Sequence, residues 1–108
     1  MKGKIVLIPF PFTDLSSTKL RPALVLHEDE KDVVVAFISS RTENSKPTDI
    51  IIAKNHREFK QTGLKLTSTI KLDKVATISK DLVIGEIGEV GPKLKKEVNR
   101  KITAIYNL

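Results

Sequence analysis

The chain has 108 residues, the size of one domain, and its lysine and arginine residues outnumber aspartate and glutamate by 19 to 13. It contains no cysteine and only two histidines, which excludes disulfides and thiolate metal sites and disfavours a histidine zinc site. No apolar run approaches the ~20 residues that would cross a bilayer, and no signal-peptide cleavage site follows the first residues. We therefore expect one cytoplasmic domain over residues 1–108, without a metal or cofactor.

The pattern of apolar residues predicts a mainly β domain with a helix at its end. Short runs rich in β-branched residues predict strands, and polar segments with proline, glycine, serine or asparagine separate them. The predicted strands are residues 4–9, 20–26, 33–40, 48–53, 64–72 and 74–79. Residues 54–63 are expected to hold one helical turn ending at Gly63, and residues 85–91 to form a turn-rich connection. Short strands followed by a helix predict a small, strongly bent barrel or a two-layer sheet.

The final segment has the features of an amphipathic helix. Gly91-Pro92 is a start signal, because proline is favoured in the first helical turn. Apolar residues then recur at helical spacing and form one stripe that we expect to pack on the sheet: Leu94, Val98, Ile102 and Ile105. Residues 93–101 hold five positive residues and one negative residue. This basic surface could meet RNA or an acidic protein, although contact with water alone explains it.

Arg21 stands at the start of an otherwise apolar strand and is followed directly by Pro22. The proline restricts Arg21 to an extended conformation. Proline also cannot donate a ladder hydrogen bond, so this end of the strand is expected at an edge or a strand start. Arg21 is therefore predicted at the rim of the sheet, where its guanidinium group needs a partner or a function.

The hairpin of strands 20–26 and 33–40 indicates what faces Arg21. Its short polar turn is centred near residue 30, and antiparallel pairing about that centre puts Arg21 opposite Ser39. A shift of one residue would put Arg21 opposite Ile38 or Ser40 instead. Both strands are apolar on both faces, so the pattern does not fix the register.

A guanidinium and a hydroxyl group at one hairpin end could act on a phosphodiester. Arginine binds phosphate oxygens bidentately and can stabilise charge that develops at phosphorus, and serine can donate to a phosphate oxygen. RNA carries its own nucleophile, the 2′-hydroxyl group, so no metal ion is strictly needed. Arginine is a poor proton acceptor. The alternative is that Arg21 forms a structural pair with an aspartate; Asp14 and Asp73 are the nearest carboxylates, either as such a partner or as a base.

Three stretches of the sequence resemble the MazF/PemK-like toxins of bacterial toxin–antitoxin pairs. "GKIVLIPFPFTDLSSTKLRPALVL" looks like the opening of that family, with its glycine-led strand, phenylalanine-containing loop and "RPALVL". "VVVAFISSR" resembles the family's next strand, which ends in a hydroxyl residue, and "TSTIKLDKVATI" resembles its later strand pair. The resemblance, which includes the C-terminal helix, covers nearly the whole chain.

The resemblance implies an α+β fold that is mainly β, namely an SH3-like small β-barrel of the MazF/PemK/CcdB kind, which forms a homodimer. It also implies a metal-independent endoribonuclease that cleaves single-stranded RNA at short sequence motifs. In that family the 2′-hydroxyl group attacks the phosphate and leaves a cyclic phosphate. The implied protein partner is a cognate antitoxin whose C-terminal segment occupies the RNA groove.

The family's catalytic residues fall on Arg21 and Ser39 of this chain, and its gating loop falls on residues 10–19. Two positions depart from the family pattern. Lys4 stands where an acidic residue is frequent, and Ser39 replaces the commoner threonine. A serine hydroxyl group can perform the same chemistry.

Further residues are candidates for contacts with RNA. Phe10 and Phe12 could stack on bases, and because Pro11 keeps both extended, at most one is expected to face RNA. The alternative for each is a place in the core.

Polar candidates lie close to the predicted site in sequence or on neighbouring strands. Lys19 and Arg41 could contact phosphate, and Ser40 would replace Ser39 if the register were shifted. Thr67 and Ser68 could line the same groove. Charged loop residues and strand hydroxyl groups are also common without any such role.

Two other functions remain compatible with the sequence. A gyrase-poisoning toxin shares the barrel, but it would bind a protein and would not need Arg21 or Ser39. A non-catalytic nucleic-acid-binding barrel would bind RNA with a steep salt dependence and leave it intact.

Overall fold

The computed structural model describes residues 1–10 and 19–108, which form six strands and two α-helices. The strands are β1 (Lys4–Phe10), β2 (Lys19–Glu28), β3 (Asp32–Ser39), β4 (Asp49–Ile52), β5 (Ser68–Ser79) and β6 (Gly85–Glu89). The helices are α1 (Phe59–Thr62) and α2 (Pro92–Ile105), and a 3₁₀ turn at Lys80–Leu82 follows β5. All six strands pair antiparallel in one sheet, in the order β4-β5-β3-β2-β1-β6. The predicted mainly β fold with a C-terminal helix is confirmed.

The connection from β5 to β6 shows how strongly the sheet curls. Three strands separate β5 from β6 in the sheet, yet only residues 80–84 join them. Strands lie ~4.8 Å apart, so in a flat sheet β5 and β6 would be about 19 Å apart. Five residues reach that far only when fully extended. Because three of them form the 3₁₀ turn, the sheet curls into a half-barrel whose edge strands are β4 and β6.

The two faces of the sheet carry separate apolar clusters, because successive side chains on a strand point to opposite faces. On β1, Ile5 packs in one cluster, whereas Val6 and Ile8 pack in the other. We call the first face the helix face, since Leu94 and Val98 of α2 are buried against it. The second face, named the opposite face, is formed around buried residues of β1, β2, β3 and β5: Val6, Ile8, Ala23, Val25, Val33, Val35 and Ile78.

A distant carboxylate fixes the start of α2. The first N–H groups of a helix have no partner within the helix, and the residue before α2, Gly91, offers no side chain to cap them. Glu58, which is 6% exposed, accepts hydrogen bonds from the backbone N–H groups of Lys93 and Leu94, each 2.9 Å long. Burial raises the pKa of Glu58, but the two N–H groups and nearby cations outweigh burial and lower it below its usual value. The carboxylate also interacts favourably with the positive end of the helix dipole.

Two predictions about the strands are wrong. Residues 64–72 and 74–79 were expected as two strands, but Ser68–Ser79 is one strand with an irregular register near Asp73. Residues 85–91 were expected as a turn-rich connection, but Gly85–Glu89 is β6, which pairs with β1. A Cβ atom at Gly88 would collide with the backbone of Gln61 and Thr62, so glycine is needed there for close packing and not for a turn.

Helix α1 follows its prediction. It ends at Gly63, which adopts the left-handed conformation (φ 74°) typical of a helix C-terminus.

Candidate active site

The open end of the β2–β3 hairpin carries the residues that the sequence singled out. A bulge at Leu26 shifts the register close to the turn, and beyond it Val25 pairs with Val35 and Ala23 with Phe37. Continued by two residues, this register places Arg21 at the level of Ser39. Both residues share the side-chain direction of Ala23, so they lie on the opposite face, away from α2.

A pocket of about 520 Å³ opens at this end of the hairpin. Its described lining brings together four positive side chains, two hydroxyl groups and three apolar side chains, and none of these described residues is a carboxylate or a histidine. We call it the cationic pocket, and its lining residues are Arg21, Phe37, Ile38, Ser39, Ser40, Arg41, Lys71, Lys74 and Val75.

Most charges in the cationic pocket have no counter-charge within the part of the chain that the structure describes. There, the side chains of Arg21, Arg41 and Lys74 form no hydrogen bond and no ion pair, and Lys71 lies 3.5 Å from Asp49. Asp73, which the sequence offered as a partner of Arg21, is instead 2.5 Å from Lys46. A group of unpaired cations repels itself and attracts anions, so the pocket is suited to a polyanion such as a nucleic acid.

The hydroxyl group of Ser39 is oriented by the backbone. The N–H group of Arg41 donates a hydrogen bond to Ser39 Oγ over 3.1 Å. With a lone pair of Oγ used in this way, the hydroxyl hydrogen remains available to donate to another acceptor. Ser39 can therefore offer a hydrogen bond to a phosphate oxygen beside the guanidinium group of Arg21.

Comparison with known proteins identifies the family. A sequence model of the PemK-like, MazF-like toxins of type II toxin–antitoxin systems matches residues 1–106. The chain belongs to this toxin family. No curated protein matches the toxin in sequence.

Solved structures share the toxin's fold over nearly its whole length. An endoribonuclease in complex with its cognate antitoxin from Mycobacterial species superposes with a TM-score of 0.75 at 18% identity, covering 100% of this chain and 95% of that one. The Mycobacterium tuberculosis toxin MazF-mt6 gives a TM-score of 0.73 at 20% identity, with 97% of each chain covered. A MazE–MazF structure from Deinococcus radiodurans gives 0.74 at 17% identity, covering 98% of this chain and 94% of that one. At these identities the likeness establishes the half-barrel fold.

The sequence prediction missed Lys71, Lys74 and Val75 as pocket residues. They reach the pocket because β5 is irregular there: Lys71 is opposite Phe37 and Val75 is opposite Ala36, so residues 72–74 are extra on β5. Such a bulge bends a strand and redirects its side chains. The available signal was the break at Asp73, which the sequence prediction treated as the boundary between two separate strands.

Other predicted contact residues lie outside the cationic pocket. Lys19 is exposed at the start of β2 and does not line it. Thr67 Oγ1 accepts a hydrogen bond from the N–H group of Lys54, and the buried Ser68 hydroxyl donates to the carbonyl of Leu66. These two hydroxyl groups therefore support the backbone, and the geometry favours a structural role for them.

Two predictions fall on residues that the structure does not describe. Phe12 and Asp14 lie outside the described residues. For the side chain of Phe10 the same holds, although its backbone ends β1.

Neither a metal-ligand cluster nor a membrane-spanning helix occurs in the described part of the chain. Within residues 1–10 and 19–108, no three carboxylate or histidine side chains form a group that could hold a metal ion. Over the same ranges, no helix has the length and apolar character needed to cross a membrane.

Proposed function

We propose that this toxin is an endoribonuclease that cleaves single-stranded RNA by attack of the 2′-hydroxyl group, without a metal ion. The observation that carries the proposal is the cationic pocket, in which Arg21 and Ser39 lie beside three further cations, with no carboxylate among the described lining residues. A pocket of this charge holds a phosphodiester, and RNA brings the nucleophile with it. Two of the structural neighbours from Mycobacterial species are endoribonucleases, which agrees with this chemistry.

In the proposed reaction, Arg21 binds the non-bridging oxygens of the scissile phosphate through two parallel N–H groups. The 2′-oxygen forms a bond to phosphorus and loses its proton to water, while the bond to the 5′-oxygen breaks and that oxygen takes a proton from water. The products are a 2′,3′-cyclic phosphate and a 5′-hydroxyl end. Negative charge grows on the phosphate in the transition state, and fixed cations stabilise it there. Ser39 donates a hydrogen bond to the same phosphate.

The described lining of the cationic pocket offers no side chain suited to general-base catalysis. Among residues 1–10 and 19–108, its lining includes neither a carboxylate nor a histidine that would accept the 2′-hydroxyl proton. We therefore assign the rate enhancement to electrostatic stabilisation by Arg21 and its neighbours, and not to general-base catalysis by a lining residue. Ser40 and Arg41 are proposed to contact RNA on either side of the scissile phosphate.

We also propose that the toxin is a homodimer and that its antitoxin places an acidic segment in the cationic pocket. Membership of a toxin–antitoxin family supports an antitoxin partner. The described part of the lining has four positive side chains and no carboxylate, which suits the carboxylates of such a segment. In this arrangement the antitoxin and RNA compete for one site, which would inhibit the toxin directly.

The test is a cleavage assay on a long single-stranded RNA in excess EDTA. The unmodified toxin is expected to give discrete fragments that end in a 2′,3′-cyclic phosphate, and an RNA with 2′-O-methyl groups is expected to remain intact. Arg21→Ala, purified in parallel, controls for contaminating nucleases and should give no fragments.

Other results would reject the proposal. Cleavage that needs a divalent cation, or that proceeds on 2′-O-methyl RNA, would contradict 2′-hydroxyl attack. Intact RNA with all proteins would favour a gyrase poison if gyrase is inhibited, or an RNA-binding barrel if RNA is bound.

A further inference from the structure

A buried carboxylate lies next to Lys71, one of the cations that line the cationic pocket. Asp49 is the first residue of β4, and its side chain is 0% exposed. Its Oδ2 accepts a hydrogen bond from the N–H group of Lys46 over 2.9 Å, whereas its Oδ1 has no hydrogen-bond partner among the described residues. A buried charge is costly unless it is paired and fully hydrogen-bonded, so this carboxylate needs a reason to be there.

The backbone around Asp49 is fixed from both sides. The N–H group of Asp49 donates to the carbonyl of Lys46 over 2.9 Å and closes a tight turn. Lys101 of α2 donates from Nζ to the carbonyls of Pro47 and Asp49, each over 2.8 Å. The backbone that carries the carboxylate is therefore held in place, and the carboxylate itself cannot turn out to water without losing its hydrogen bond from the N–H group of Lys46.

The charge nearest to this carboxylate on the sheet is Lys71, which lines the cationic pocket. Lys71 pairs with Asp49 across β4 and β5 and with Phe37 across β3 and β5, so it has a neighbouring strand on each side. Its Nζ is 3.5 Å from Asp49 Oδ2, and its side chain is 22% exposed. An ammonium group has three donors, so contact with one carboxylate oxygen leaves two for another anion.

We propose that Asp49 is a positioning residue: it holds the ammonium group of Lys71 in the cationic pocket, where Lys71 binds a backbone phosphate of the RNA other than the one bound by Arg21. This inference rests on the proposed ribonuclease function. The proposed role accounts for the buried carboxylate, because two apolar side chains at positions 49 and 71 would cost less free energy to bury than this ion pair. Lys74, which has no such anchor, lies on the exposed side of the same pocket.

The test measures the affinity for a single-stranded RNA with 2′-O-methyl groups, which cannot be cleaved, over a range of salt concentrations. Lys71→Gln removes the proposed contact, and Lys65→Gln removes the same charge at an exposed site outside the pocket. Lys71→Gln is expected to weaken binding about tenfold more than Lys65→Gln, the loss of one charge-assisted hydrogen bond. It should also reduce the slope of log affinity against log salt by about 0.7, the value for one phosphate of a single strand.

Asp49→Asn separates positioning from general electrostatics. It makes the protein more positive, so electrostatic attraction alone would tighten RNA binding. If Asp49 positions Lys71, the variant should instead bind RNA about threefold to tenfold more weakly, because the ammonium group of Lys71 is no longer held in place. The double variant Asp49→Asn/Lys71→Gln should bind no more weakly than Lys71→Gln alone. If a single variant fails to fold, the double variant, which leaves no unpaired buried charge, supplies the measurement.

The outcomes separate the two proposals. If the toxin cleaves RNA but Lys71→Gln, or the double variant, binds with the affinity and salt slope of Lys65→Gln, only this inference is overturned. Tighter binding by Asp49→Asn also overturns it. If the unmodified toxin neither binds nor cleaves RNA, the proposed function and this inference fail together.

Discussion

Charges at the margins of the curled sheet and charges in the cationic pocket are arranged in opposite ways. At the margins, three ion pairs join neighbouring charges: Glu28 lies 2.6 Å from the amino group of Met1 and 2.9 Å from Lys80 Nζ, and Lys4 lies 3.0 Å from Glu89. In the cationic pocket, the positive side chains outnumber their described counter-charges, since only Lys71 has a carboxylate within 4.0 Å. The margins of the sheet therefore contain ion pairs of opposite charge, whereas the cationic pocket concentrates positive charge.

The difference indicates that stability and function depend on different residues. Paired surface charges contribute modestly to stability, and their loss does not alter a site on another part of the sheet. Unpaired cations held close together repel one another, so removing one does not destabilise the fold and removes only its attraction for an anion. Variants of the two regions should therefore separate cleanly in assays of cleavage and of unfolding.

The largest effect is expected for Arg21→Ala. Removing this phosphate contact should lower the cleavage rate about 10²- to 10³-fold, as is typical when a group that stabilises transition-state charge is deleted. The unfolding free energy should change by no more than about 0.5 kcal/mol, because Arg21 is exposed and unpaired among the described residues. Arg57→Ala, an exposed arginine outside the pocket, is the matched control and should cleave RNA normally. Equal activity of the two variants would remove Arg21 from the mechanism.

A smaller loss of activity is expected for Ser39→Ala. One hydrogen bond to the phosphate should be lost, which lowers the single-turnover cleavage rate about tenfold. Ser39→Thr keeps the hydroxyl group and should retain most of the activity. If Ser39→Ala cleaves at the normal rate, or Ser39→Thr is as slow as Ser39→Ala, the hydroxyl group has no role in cleavage.

Glu58→Ala, at the start of α2, should have the opposite effect: it should lower stability and leave cleavage unchanged. It leaves two N–H groups at the start of α2 without partners and should lower the free energy of unfolding by about 2 kcal/mol. Cleavage measured well below the melting temperature should remain unchanged. Chemical denaturation tests this against Glu30→Ala, an exposed residue of the β2–β3 turn, for which the change should be about 0.5 kcal/mol or less. A stable Glu58→Ala variant would show that α2 is held by its apolar stripe alone.

The smallest effect concerns acid stability and Glu28. The hydrogen bonds from the amino group of Met1 and from Lys80 lower the pKa of Glu28 to about 2, from an ordinary value of 4.5. Because the pKa is lower in the folded state, Glu28 stabilises the fold above pH 4.5, and this contribution disappears as the pH falls towards about 2. Melting temperatures of the unmodified toxin and Glu28→Gln should differ near neutral pH and converge in acid. Glu30→Gln, without these partners, should run parallel to the unmodified toxin; a pH-independent difference for Glu28→Gln would contradict the pKa argument.

The sequence predicted the local parts of the fold because those parts have local causes. β-branched runs specified most strands, Gly91-Pro92 with its apolar stripe specified α2, and Gly63 specified the end of α1. β6 was missed because its strand character comes from pairing with β1 and from close packing of Gly88 on α1, and both partners are distant in sequence.

The part of the candidate site that depends on local pairing was also predicted from the sequence. Arg21 and Ser39 follow from the symmetry of one hairpin, so sequence could bring them together. Lys71 and Lys74 enter the pocket through a bulge in β5, and Asp49 reaches Lys71 through the pairing of β4 with β5. Hydrophobic patterns do not encode such irregular or non-local pairings.

The most direct measurement is an NMR titration of the isotope-labelled toxin with a short 2′-O-methyl RNA. Two basic surfaces of this protein are candidates for binding RNA: the cationic pocket, and the surface of α2 that carries Lys93, Lys96 and Arg100. If RNA binds the unpaired cations of the pocket, chemical shifts should change at Arg21 and in residues 37–41 and 71–75 while the α2 surface stays constant. Changes confined to the α2 surface would contradict the assignment of the cationic pocket as the RNA site.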